Sequence, residues 1–188
     1  MVAPPPGVNR PPLLRSHFER IAMATDLPWI LQDEPVTTGV KLSPETIIDL
    51  AKAIPTLTAV KIEDVPTPSK IHAIHQAYPQ LTLFGGLGGL YLLEELHRGA
   101  QGSMTGFSYP NMLANILATF KAGDHSGAQS EFFRYLPLIR YEAQLGVRGI
   151  AIRKALFYQR GLITSPAVRA PAEPADPIIA EDLSRLVT

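Results

Sequence analysis

The sequence predicts an α/β fold built on a parallel sheet, and two observations carry that expectation. Short apolar runs start near residues 28, 57, 81 and 101, and they alternate with amphipathic stretches of about ten residues, the spacing of repeated βαβ units. The runs are apolar throughout rather than strictly alternating, as strands covered on both faces are. Such a sheet is either doubly wound or part of a barrel.

The first twelve residues, MVAPPPGVNRPP, are proline-rich and read as extended loop. From Leu13 to Thr25, Leu14, Phe18, Ile21 and Ala22 recur at helical spacing, and Leu27 to Gln32 follows as a buried strand. Asp33, Pro35 and Gly39 mark a turn. Ser43-Pro44-Glu45 opens the next helix with an N-cap and a proline at its first position, and Ile47, Ile48, Leu50 and Ala51 form its inner face. The strand 57–63 is followed by a helix from Thr67 to about Ala77, with Ile71, Ile74 and His75 on one side. A strand at Leu81–Phe84 then runs into Gly85-Gly86-Leu87-Gly88-Gly89, a helix over about 90–98 and a strand over 102–105. Beyond Pro110 the alternation stops. Helices are expected over about 110–121, 125–144, 147–160 and 178–186, with Ala143, Leu145, Val147, Ile150, Ile152 and Leu156 as apolar faces, and SPAVRAPAEPADP as a proline-broken surface segment. The expected division is therefore 1–109 for the βα portion and 110–188 for the helical portion.

At 188 residues with 46% hydrophobic content, the chain can bury a sizeable core. Seventeen basic residues balance seventeen acidic ones, with no dense basic block, which argues against nucleic acid or an anionic membrane as partner. The absence of cysteine removes thiolate chemistry and favours a cytoplasmic setting. The start of the chain does not read as a signal peptide, nor any stretch as a membrane span. The five histidines all fall in expected helices or caps, and His72 and His75 lack a companion carboxylate at ligand spacing, so no metal site is expected. Ser103 and Ser108 lack a nucleophile elbow.

The residue that stands out is Lys61, a long cation inside the apolar strand Leu57-Thr58-Ala59-Val60-Lys61-Ile62. It either snorkels to water or does chemistry: desolvation disfavours an ammonium, and a free amine attacks a carbonyl to form a Schiff base. Ligands of parallel α/β sheets bind beyond the carboxyl ends of the strands. Those ends carry Gln32-Asp33-Glu34, Lys61 with Glu63 and Asp64, the glycine turn 85–89, and Met104-Thr105. The acidic groups after Lys61 could orient a substrate or move protons, or could simply be turns and N-caps. The glycine turn could present backbone N–H groups to an anion, or could permit close approach of another group. It matches a dinucleotide fingerprint only partly, with Tyr91 where a third glycine is wanted.

In order along the chain, VAPPP, HFERIAMATDLPWILQDEP, TGVKLSPETIIDLAK, TAVKIED, LFGGLGG and RGAQGSMTGFSYPNM resemble the dihydrodipicolinate synthase and N-acetylneuraminate lyase family of class I Schiff-base lyases, over about residues 2–160. The resemblance implies about the C-terminal half of a (β/α)8 TIM barrel, with four to five parallel strands, followed by a C-terminal helical extension. It also implies Lys61 as the residue forming an imine with pyruvate or another 2-oxo acid, and Gln32, Glu63, Gly86, Gly88, Met104 and Thr105 around the substrate. The covalent imine needs no cofactor. The turn that is YNxP-like in the family reads Gln32-Asp33-Glu34-Pro35 here; an amide cannot shuttle a proton as a phenol can, so either Glu34, Glu63 or water takes that task, or the chemistry differs from the usual aldol reaction. GFSYP and QDEP resemble the sugar-acid dehydratases of the family, which implies a 2-keto-3-deoxy sugar acid as substrate. A complete barrel needs eight βα units, so the expectation is an N-terminally truncated member that associates with further copies, as a lyase or as a catalytically impaired binding module.

Overall fold

Proline placement decides where most of the helices begin. Pro11, Pro35, Pro44, Pro110 and Pro177 each occupy the first position of a helix, where the missing N–H would have had no intrahelical partner and the fixed φ already suits the helix. The computed structural model describes residues 1–143 and 148–186. The elements are α1 (Pro11–Met23), β1 (Trp29–Asp33), α2 (Pro35–Thr38), α3 (Pro44–Ala53), β2 (Leu57–Ile62), α4 (Thr67–Ala77), β3 (Thr82–Gly85), α5 (Leu92–His97), β4 (Gly102–Ser103), α6 (Pro110–Lys121), α7 (His125–Ala143), α8 (Arg148–Gln159) and α9 (Pro177–Leu186).

Three local expectations need correction. Pro11 and Pro12 belong to α1 rather than to the preceding loop, because proline is tolerated in a first turn. The turn after β1 contains a single helical turn, α2, capped by the Glu34 carboxylate, which accepts from the Thr37 amide at 2.9 Å, and closed by Gly39 in the left-handed region at φ 67°. The fourth strand is shorter than its apolar run: β4 ends at Ser103, although the Met104 amide still donates to the Gly85 carbonyl at 3.0 Å.

The described residues form two compact units, one of Met1–Gly86 with Tyr91–Met104, the other of Leu87–Leu90 with the residues from Thr105 onward. In the first unit the strands lie in the order β1-β2-β3-β4, every pair parallel. A doubly wound sheet reverses strand order at a switch point; this one does not, and its sequential order is that of successive βα units in a barrel. Val2 adds the stub of a fifth strand at the outer edge of β1: its amide donates to the Ile30 carbonyl and its carbonyl accepts from the Gln32 amide, both at 2.8 Å.

Alternation along the strands separates two faces. Leu31, Val60, Ile62 and Leu83 point to the helices and pack with Leu14 and Phe18 of α1, Ile47 and Leu50 of α3, and Ile71 and Ile74 of α4 in one buried cluster. The intervening residues Gln32, Lys61 and Phe84 therefore face the other way. They are also directly opposite one another in register, Gln32 beside Lys61 and Lys61 beside Phe84. Sheet pairing thus lays an amide, an amine and an aromatic ring in one row.

The second unit is helical. Met112 and Ile116 of α6 are buried, as are Phe132 and Ile139 of α7, Ala151, Ile152 and Leu156 of α8, and Ile179 and Leu183 of α9. Tyr141 of α7 donates its hydroxyl to Asp182 of α9 at 2.9 Å. Ile150, expected on an apolar face, is 45% exposed, because it lies on the turn of α8 opposite Ile152 and Leu156. Leu145 and Val147, and with them the expected end of one helix and start of the next, lie outside the described residues.

Phe18 is fully buried and stacks on Trp29 with ring centroids 5.6 Å apart, joining α1 to β1. Phe18→Ala is expected to destabilise the first unit by about 3–5 kcal/mol, read as a lower denaturant midpoint; an unchanged midpoint would show that this contact does not secure α1.

Candidate active site

Lys61 ends up neither snorkelling nor in hydrocarbon. Its Nζ lies 2.7 Å from Oε2 of Glu63, and the two side chains are 12% and 11% exposed. The Nε2 of Gln32 donates to the same carboxylate oxygen at 3.2 Å. Two backbone constraints bring these groups together. Lys61 and Gln32 are register partners on β2 and β1, and the amide of Glu63 donates to the Asp33 carbonyl at 2.9 Å, which carries the ladder one residue past the strand. An ion pair this far removed from water is sustained only with close geometry and further hydrogen bonding.

Gly86 makes room for the pair. A Cβ built on it would lie 2.5 Å from Cγ and Oε1 of Glu63, so any side chain would displace the carboxylate. Gly85 does the same on the helix-facing side for Glu95 of α5, whose Oε2 would be 1.6 Å from a Cβ there. The close-approach role open to the glycine turn is thus filled, at its first two residues, by two carboxylates. Glu95 is fully buried; Thr67 Oγ1 donates to its Oε1 at 2.6 Å, and burial pushes its carboxyl up to about 7.

Behind the strand ends sits a second ionic group. Lys70, in the first turns of α4, places Nζ 2.6 Å from Asp33 and 3.1 Å from Asp64, with Lys41 3.7 Å from the other side of Asp64. Asp33 is fully buried, and burial raises its carboxyl while the Lys70 ammonium pulls it back. Glu34 is committed to capping α2, which leaves Glu63 as the carboxylate at Lys61. Met104 is placed by its backbone bond to Gly85.

In the second unit, Leu87, Gly88 and Gly89 all have left-handed backbone, at φ 50°, 71° and 82°, a conformation uncommon for leucine. The Gly88 amide donates to Thr105 Oγ1 at 2.7 Å, so these two expected site residues are in direct contact. The loop after Thr105 rests on Glu142 of α7, which accepts from the Ser108 amide at 3.3 Å and lies 3.3 Å from Nε of Arg153. Burial pushes Glu142 up to about 7 against the downward pull of these partners.

Phe84, Lys70 and Glu95 were not among the expected site residues. Parity of alternation would have found Phe84, which sits two residues before Gly86 on the face of Lys61. Lys70 and Glu95 gave no signal beyond ordinary helical charge.

A parallel sheet in sequential order, with a partly buried lysine–carboxylate pair at its strand ends, defines an α/β-barrel type of protein with an amine-bearing site. Comparison with known proteins narrows this: the model of the dihydrodipicolinate synthetase family matches residues 8–188, and the chain belongs to that family. It is 30% identical to L-2-keto-3-deoxyarabonate dehydratase of Azospirillum brasilense over 82% of this chain and 50% of that one. It is 32% identical to 4-hydroxy-tetrahydrodipicolinate synthase 1 of Streptomyces coelicolor, over 91% of this chain and 56% of that one. Among solved structures, dihydrodipicolinate synthase from Rhodopseudomonas palustris superposes with a TM-score of 0.93 at 35% identity, covering 100% of this chain and 64% of that one. The prophage protein YagE of E. coli K12, a family member in complex with pyruvate, superposes with a TM-score of 0.86 at 26% identity, over 99% and 64%. The chain thus spans about half the length of the curated relatives it matches. No helix among the described residues is long and apolar enough to cross a membrane.

A carboxyl whose folded value is raised stabilises the fold while protonated, and that stabilisation is lost as pH climbs from its unfolded value, near 4.5, through about 7. Glu142→Gln cannot ionise. Its stability relative to the unsubstituted protein is therefore expected to grow between pH 4.5 and 8, by on the order of 2–3 kcal/mol, in denaturant titrations; a constant difference would contradict the buried-acid assignment.

Proposed function

We propose that the protein is a Schiff-base lyase acting on a 2-oxo acid, with Lys61 as the nucleophile and Glu63 as its proton-transfer partner. The observation that carries this is the 2.7 Å contact between Lys61 Nζ and Glu63 Oε2 at the carboxyl end of β2, in a row with Gln32 and Phe84. An ammonium is not a nucleophile. A carboxylate in direct contact can take its proton, leaving an amine that attacks the keto carbon; the carbonyl oxygen departs as water and a protonated imine remains. That imine is the electron sink, so no cofactor is required. Glu63, having returned its first proton to the departing carbonyl oxygen, takes a proton from C3 to give an enamine and passes it to the C4 hydroxyl, which leaves as water; hydrolysis of the remaining imine releases the product and restores Lys61. Gln32 fixes the Glu63 carboxylate for both transfers and stands where a substrate hydroxyl could meet its carbonyl. Within the same unit, Gly86 and Met104 complete the proposed substrate surroundings.

A 2-keto-3-deoxy sugar acid is the favoured substrate class, supported by the Gln32-Asp33-Glu34-Pro35 turn and by the similarity to a 2-keto-3-deoxyarabonate dehydratase. An aldol-type reaction with pyruvate is the alternative direction of the same imine chemistry, supported by the similarity to the synthases. The same family reading carries with it a cytoplasmic homo-oligomer.

The test is borohydride reduction in the presence of pyruvate, followed by peptide mapping. An adduct on Lys61, lost in Lys61→Ala and formed at least about a hundredfold more slowly in Glu63→Gln, is the expected outcome. An adduct on another lysine, or none with any 2-oxo acid, would overturn the proposal.

A further inference from the structure

The glycine pair at the end of β3 separates two carboxylates. Glu63 fills the side-chain space of Gly86, and Glu95 fills that of Gly85. Successive residues of a strand point to opposite faces, so the two acids press on the same dipeptide from either side. Glu63 is satisfied by Lys61 and Gln32. Glu95 is not: Oε1 accepts from Thr67, but Oε2 is buried with no hydrogen-bond partner among the described residues. Among the described residues, the charged groups that act on it are Glu63, from the end of β2, and Glu94 of its own helix, both negative; α4 supplies the Thr67 hydroxyl, with His75 of the same helix packed against Gly99 beyond α5, and β3 supplies the bare backbone of Gly85.

We propose, resting on the Schiff-base reading above, that Glu95 is a positioning residue: in its protonated form it occupies the side-chain space of Gly85 and fixes the Gly85-Gly86 step against which Glu63 holds Lys61. An ionised Glu95 would add a buried negative charge with no cation beside it. Relief requires either that Oε2 swing away from Gly85 or that water enter beside it. Both shift the dipeptide that limits where the Glu63 carboxylate can sit. The neutral acid has no such demand, and its raised titration to about 7 agrees with that state. The paired glycines of Leu83-Phe84-Gly85-Gly86 are then explained by clearance for two acids with different jobs, one exchanging protons with the amine and one keeping its own.

The experiment compares rates of borohydride trapping with pyruvate, from pH 5.5 to 9, in the unsubstituted protein, Glu95→Gln and Thr67→Val. Glutamine is a permanently neutral replacement of nearly the same shape. The ratio of Glu95→Gln to the unsubstituted protein should stay within about twofold of one below pH 6.5, then climb roughly tenfold per pH unit once Glu95 ionises. Thr67→Val removes the hydrogen bond that favours the carboxylate, so the alkaline decline should move to higher pH. A ratio independent of pH, or a decline that Thr67→Val leaves in place, assigns Glu95 a purely structural role and overturns the inference.

If the unsubstituted protein forms no adduct at any pH, the lyase reading fails separately, and thermal unfolding decides the buried proton. Folded Glu95 titrates above its unfolded value near 4.5, so it loses stabilising effect as pH rises through 5–7. The midpoint of Glu95→Gln should gain on the unsubstituted protein across that window, and parallel curves would refute the assignment. Should Glu95→Gln not fold, the shift in Thr67→Val alone decides, by the same criterion.

Discussion

The partly buried contact between Lys61 and Glu63 is the constraint that the rest of the first unit accommodates. Two charges withdrawn from water cost several kcal/mol each unless close geometry and further hydrogen bonds compensate. The fold supplies both: parallel pairing sets Gln32 beside Lys61, the Glu63 amide continues the ladder onto Asp33, and Gly86 leaves out the atom that would collide with the carboxylate. The Gln32-Lys61-Phe84 row is supported from the opposite face of the same strands, where Leu31, Val60, Ile62 and Leu83 pack under α1, α3 and α4. Burial of one face offsets the cost of holding charged groups on the other.

A second layer of charge keeps the strand ends in place. Lys70 joins Asp33, at the end of β1, to Asp64, just past β2, so the segment bearing Lys61 and Glu63 is tied at its base by a buried cation. Removing that cation would leave two carboxylates facing each other with little water, which is the costly way to disturb a buried network. The strand ends therefore carry two lysine–carboxylate groups, Lys61 with Glu63 and Lys70 with Asp33 and Asp64, and a third buried carboxyl, Glu95, held by the Thr67 hydroxyl.

How much of this was legible in the sequence follows from how local each determinant is. The alternation of apolar runs and helical patterns is local, and it located every strand. Lys61 was visible because a cation in an apolar run violates its own surroundings, and Glu63 because it follows two residues later on the same face. Glu95 was not visible: its helix reads as ordinarily amphipathic, and its burial arises from a glycine ten residues earlier and a threonine on another helix. Lys70 is one of many helical lysines until tertiary packing sets it against Asp33. The proline-rich start misled in the opposite direction, because proline disfavours a helix interior but suits a first turn, which is where Pro11 and Pro12 lie.

The central claim is that an amine and a carboxylate are held together at a strand end to act on one keto carbon. A crystal structure of the chain soaked with pyruvate and reduced in the crystal tests it most directly. Continuous density from Lys61 Nζ into the substrate carbon, with the Glu63 carboxylate against the new nitrogen and Gly86 still beneath it, is the predicted result. Pyruvate attached to another lysine, or a Glu63 side chain turned away from the adduct, would contradict the account.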